Sequence, residues 1–168
     1  MKLTLNRDYA FRHLAVAALL GAVAVWSVYD GAVKYPADNR AWEAQAGTTV
    51  EAALADEHRA KDQMPPHAPY KINEQFYQAG ILALAALVIA GLVGLEARKT
   101  LAWDEKEMNG SLTCGKPLPF AEVKSCDWSK WESKRIVAVH AADGRAVKLD
   151  AWHHAGVTEL AKLLPAKK

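Results

Sequence analysis

The chain has 168 residues, 51% of them hydrophobic, with 21 Lys and Arg against 19 Asp and Glu and a net charge of +2. That balance excludes a nucleic-acid binder driven by bulk charge, and two cysteines, Cys114 and Cys126, exclude a disulfide scaffold or a four-cysteine zinc ribbon. Half the chain is apolar, yet its mean hydropathy is only −0.10, so the apolar residues are concentrated in segments.

Two such segments stand out. Residues 13–29, HLAVAALLGAVAVWSVY, carry no charged side chain before Asp30, and residues 76–95, FYQAGILALAALVIAGLVGL, carry none at all. At 1.5 Å per residue, about twenty helical residues span the roughly 30 Å hydrocarbon layer, so both segments are expected to be transmembrane helices. Tyr9 and Phe11, Trp26 and Tyr29, and Phe76 and Tyr77 mark their ends, as rings with polar tips favour the headgroup level. A cleavable signal peptide is the alternative for the first segment: Lys2, Arg7 and Arg12 would form its basic region, and Ala22-Val23-Ala24 its cleavage site.

Lys2, Arg7 and Arg12 precede the first helix, and Arg98 and Lys99 follow the second. The 30–75 loop between them holds five basic and eight acidic residues. Basic flanks stay in the cytoplasm. The expected layout is therefore a cytosolic segment (1–12), helix one (13–29), an extracytoplasmic loop (30–75), helix two (76–95) and a cytosolic domain (96–168). An Ala- and Gly-rich composition points to a bacterial inner membrane.

Small residues recur at spacings of four, Ala17 and Gly21 in the first helix and Ala86, Ala90 and Gly94 in the second. Such faces let helices approach closely, either within the hairpin or against another membrane protein. No Asp, Glu, Lys or Arg lies mid-span, which argues against an ion path. His13 finds no histidine partner in the second helix for a haem.

In the loop, Pro36 precedes a helix-like ADNRAWEAQA, and Gly47 breaks it. Thr48 and Glu51 have the spacing of a capping box opening VEAALADEHRAK. The Pro-rich QMPPHAP then ends that helix. Tyr35 and Trp42 are the expected loop anchors. His58, His67, Asp56 and Glu57 lack the paired-histidine spacing of a zinc helix.

From Glu96 onward, short alternating runs separated by turn residues predict a small antiparallel sheet. Its strands are expected at 100–104, 110–114, 118–120 into 123–128, 135–141 and 145–151. Ala142-Asp143-Gly144 is a hairpin turn, and Val157, Leu160, Ala161 and Leu164 form the stripe of a closing helix.

LPFAEVKSCDWSKWESKRIVAVHAADGRAVKLDAW followed by that helix, on a pair of membrane spans, resembles bacterial two-span membrane proteins with a C-terminal pleckstrin-homology-like (PH-like) domain. Pro119-Phe120, Val123, Trp128, Trp131, Lys134 and Gly144 carry the resemblance. A full PH-like barrel has seven strands against about five counted here, so an abbreviated sheet is expected. The expected fold is thus a transmembrane α-helical hairpin plus a small α+β PH-like domain, and the resemblance implies a binding role with no reaction.

Parts for catalysis are missing: there is no phosphate-binding Gly loop, G-x-S-x-G, H-E-x-x-H or C-x-x-C. A metal site from Cys114, Cys126, His140 and one of His153 or His154 would need all four to converge. Trp128, Lys130, Trp131, Lys134 and Arg135 form the most distinctive cluster, a candidate lipid or partner site. Trp152-His153-His154 opens the last connection and reads as ordinary loop residues. The sequence therefore points to a non-enzymatic interaction module, or alternatively to an accessory subunit of a larger membrane complex. Membrane lipid and other membrane-protein subunits are its expected partners; no nucleic acid, small-molecule substrate or cofactor is expected.

Overall fold

Residues 1–165 are described by a computed structural model; the last three residues of the expected 96–168 domain lie outside them. Strand β1 (Thr4–Leu5) leads into helix α1 (Arg7–Tyr29), a five-residue π-helical turn (Asp30–Lys34), and helices α2 (Tyr35–Ala46), α3 (Val50–Ala55) and α4 (Pro69–Ala97). There follow β2 (Ala102–Trp103), β3 (Glu107–Asn109), β4 (Leu118–Pro119), β5 (Val123–Asp127), the one-turn helix α5 (Trp131–Lys134), β6 (Ile136–Ala141), β7 (Ala146–Asp150), β8 (His154–Ala155) and α6 (Val157–Ala161). The chain divides into two units, one made of Met1–Leu14 and the residues from Ala90 onward, the other of Ala15–Ile89.

The Ala15–Ile89 unit is helical. α1 and α4 are both long and apolar enough to cross a membrane. Helix α4, with 29 residues, is about 44 Å long at 1.5 Å per residue. Their most apolar windows are 28% and 11% buried, so most of that apolar surface lies open. From Ala15 through the π turn the buried positions are Ala17, Ala24, Ser27, Asp30 and Gly31, which recur at helical spacing along one face. The π turn has a local cause. Pro36 has no N–H to return to the carbonyl of Ala32, and its ring crowds that turn. The backbone widens instead, and the Tyr35 amide reaches back five residues to the Asp30 carbonyl.

Gly47 ends α2 in the left-handed conformation at φ 65°, the usual glycine C-cap. The cap of α3 is Thr49 rather than the expected Thr48. Its hydroxyl accepts from the Ala52 amide at 3.2 Å, while Glu43, not Glu51, closes the other orphan donor by accepting from the Val50 amide at 2.9 Å. α3 stops at Ala55, short of the expected run to Lys61, because the Asp56 carboxylate takes the His58 amide at 3.1 Å and makes a turn.

The other unit is a small α+β body. Its sheets are β2-β3-β4, β5-β6-β7 and the pair β1-β8, all antiparallel. Alternation puts Val137, Val139 and Ala141 of β6 and Val147 and Leu149 of β7 into a core with Leu101, Trp103, Met108, Leu118, Val157 and Leu160. The expected strand at 110–114 is a 3-10 turn, and the pairing strand lies earlier, at β3. Gly110 explains the shift: a Cβ there would lie 2.3 Å from the Thr100 carbonyl oxygen, so the chain passes close to its neighbour and turns.

Residues 1–6 pack as part of the α+β unit. They are threaded into the tail. The Met1 carbonyl accepts from the Trp103 amide at 2.9 Å, the Leu3 amide donates to Leu101 at 2.8 Å, and the Asn6 amide donates to His153 at 2.8 Å. Thr4 and Leu5 pair with Ala155 and His154, and Leu3 enters the core at 6% exposure.

Candidate functional site

The expected cluster at 128–135 is built around α5. Trp128 and Trp131 meet edge to face, centroids 5.5 Å apart with planes at 86°, and both rings pack against the core. The Trp128 indole N–H donates to the Pro165 carbonyl at 3.2 Å. The Arg135 guanidinium sits 5.7 Å from the Trp131 ring centre, on a backbone held left-handed at φ 54° where the helix ends. Neither ring is left as an exposed anchor. Lys130 and Lys134 remain on the surface beside them.

The exposed tryptophan of this unit is Trp152, at 56%. It lies in the turn between β7 and β8, where the Asp150 carboxylate accepts from its amide at 3.0 Å. Asn6 holds its carbonyl through a side-chain N–H at 3.1 Å. The Arg12 guanidinium lies over the ring, 6.0 Å from its centre. Asn6, Asp8, Tyr9, Arg12 and Trp152 line a small recess of about 80 Å³.

Behind it is a charged knot that joins the end of α4 to the sheet. Glu96 Oε1 takes the Lys99 ammonium at 2.5 Å. Glu96 Oε2 is buried without a hydrogen-bond partner and faces His153 Nδ1 and His154 Nε2, each at 3.8 Å. His153 Nδ1 is also 3.5 Å from Asp150. Tyr9 packs between His13 and His153, at 4.2 and 4.5 Å between centroids. A cavity of about 200 Å³ opens beside Glu96, Lys99, Lys148, Asp150, His153 and His154. Two carboxylates against two imidazoles and two ammonium groups are nearly self-neutralising. Among the described residues no three His, Cys, Asp or Glu side chains converge as metal ligands. Cys114 is exposed on its own turn, and Cys126 is half buried on β5, where burial pushes its thiol up.

In the helical unit, Tyr35 stacks flat on His67 at 3.7 Å. His67 Nε2 is 3.1 Å from Asp38, and the Asn39 amide bonds both the N–H and the carbonyl of His67, pinning the Pro-rich return. Trp42 takes the Arg59 guanidinium 5.7 Å from its ring centre. Of the small residues, Ala17 is buried and Ala86 lines an apolar groove with Gly21, Ala24, Ala83 and Leu87. A Cβ at Gly21 or Gly94 would meet nothing within 4 Å, whereas one at Gly31 would press on Gln75 and Phe76 at 3.2 Å. In the other unit, Ala90 on α4 is half buried.

Sequence reasoning missed the Arg12–Trp152 pair, since the two residues are 140 positions apart. The available signal was an aromatic residue directly after the last hydrophobic strand. No protein-family model, curated protein or solved structure matches the chain.

Proposed function

We propose that the chain is a non-enzymatic interaction protein of a bacterial inner membrane. A helical hairpin anchors a cytosolic PH-like domain, abbreviated in its sheet, which binds a protein partner or an anionic lipid surface. The observation that carries this reading is the threading of residues 1–6 through the tail sheet. Strands that pair share a compartment, so the chain between them crosses a bilayer an even number of times. Two apolar helices supply two crossings. The basic flanks put the paired strands on the cytoplasmic side. The same pairing speaks against cleavage after Ala24, which would remove Leu3 from the core.

The exposed side chains on the helices agree. Leu19, Val25, Ile81, Leu84 and Leu87 are each more than 60% exposed, a surface suited to lipid and not to water. Alkaline carbonate washing of membranes that hold the full chain tests the anchor: the chain stays in the pellet if the reading holds and appears in the wash if it fails.

A second reading, an accessory subunit of a larger membrane complex, is favoured by the open apolar groove of about 480 Å³ along α1 and α4. Mild-detergent extraction separates the two. A small particle supports the module, and a large assembly with stoichiometric partners supports the subunit.

A further inference from the structure

We propose that the Trp152–Arg12 recess seats the headgroup of an anionic phospholipid; this rests on the membrane reading above and names the partner of the tail domain. Four observations lead there. The backbone of Trp152 is held by Asp150 at its amide and by Asn6 at its carbonyl, and the residue is 56% exposed. An exposed indole on a held backbone is an anchor waiting for a surface. Arg12 covers the ring, and no carboxylate among the described residues lies within 4 Å of Arg12, nor of Lys2, Arg7 or Arg98. A guanidinium without a carboxylate partner over an exposed indole is complementary to an anionic surface.

The depth is also right. Arg12 immediately precedes the uncharged run 13–29 on the same continuous helix, and Phe11 beside it is 74% exposed while Tyr9 is 7%. With that run in hydrocarbon, Arg12 and Trp152 stand at the headgroup level, where indole rings and arginines concentrate.

Asp8 also lines the recess. The recess thus holds one carboxylate, Asp8, and one guanidinium, Arg12. A phosphodiester with a single negative charge suits that pair better than a free, doubly charged phosphate ion, so the proposed ligand is lipid and not inorganic phosphate. The strip at 128–135 has its rings turned into the core and lacks such a mount.

The test uses the full chain reconstituted in nanodiscs of phosphatidylcholine, with or without phosphatidylglycerol. Lipid preference is read by competition, and ring depth by quenching with lipids brominated at a known depth. Arg12→Gln is expected to lower the preference for phosphatidylglycerol about fivefold, the effect of one basic residue near the surface. Trp152→Leu is expected to reduce the headgroup-depth component of the quenching, leaving the share that Trp26 gives. Lys116→Gln, on a distant turn, is expected to change neither, and inorganic phosphate is expected not to compete. Unchanged preference and quenching in Arg12→Gln and Trp152→Leu chains that remain in the disc overturn the headgroup seat alone. So does competition by free phosphate, or quenching that is restored only by a co-purifying protein. A chain that does not insert at all overturns the membrane reading with it.

Discussion

Arg145 does the work of several residues. Its guanidinium donates to the carbonyls of Thr113, Lys116 and Pro117 at 3.0–3.3 Å while its Nε pairs with Asp143 at 2.5 Å. One side chain thus closes the whole 113–117 turn against β7, including Cys114 at φ 58° and Gly115 at φ 71°. Arg145→Met should cost about 2 kcal/mol, the loss of charge-assisted bonds to three carbonyls, measured by denaturant unfolding in detergent. Arg145→Lys should recover little, since an ammonium lacks the planar fork. Gly110→Ala has no such latitude, because its Cβ would overlap the Thr100 carbonyl oxygen at 2.3 Å. It should cost about 3 kcal/mol or more or prevent folding, seen as a lowered midpoint or loss of dispersed tail-domain NMR signals. At this scale the sequence was only partly legible. It marks Gly144 as a turn, but no local pattern marks Gly110 or Arg145, whose constraints come from chain that lies elsewhere in the fold.

At the scale of elements, the strand connections share a device. Asp104, Asp127 and Asp143 each open a turn by accepting from the backbone N–H two residues on, at 2.7, 2.9 and 3.0 Å. Those amide bonds hold all three carboxyls below the usual carboxylate range. A depressed folded value means that the stabilisation is complete above the unfolded value near about 3.9 and is lost as pH falls through the folded one. The contribution of these three carboxylates should therefore be lost only below about pH 4. In thermal unfolding as a function of pH, Asp104→Asn, Asp127→Asn and Asp143→Asn together should flatten that fall.

The β1–β8 pair is the second element-scale finding. Leu3→Ala should destabilise the tail by about 2–4 kcal/mol, as for other buried leucines, and residues 96–168 expressed alone should be less stable than the same residues in the full chain. Thermal melts of both report it. The long helices were legible because an apolar run of about twenty residues has few alternatives. The strand Thr4–Leu5 was not, because two residues carry no periodicity and their partner lies about 150 positions on. The tryptophans were less legible for a related reason: composition names Trp128, Trp131 and Trp152 alike, and only packing against the core decides that the first two are partly covered.

For the whole molecule, the claim is that one compartment holds both ends of the chain and the opposite one holds the loop between the helices. The two native thiols make this directly measurable. Cys114 is exposed, and Cys126 is half buried with its thiol pushed up by burial, so Cys114 should react with a maleimide well before Cys126. A membrane-impermeant maleimide should leave Cys114 unlabelled in intact cells and label it in inside-out vesicles, while a Gln63→Cys substitution in the loop should behave in the opposite way. Labelling of Cys114 from outside intact cells, or of both positions from the same side, would contradict the hairpin on which the rest depends.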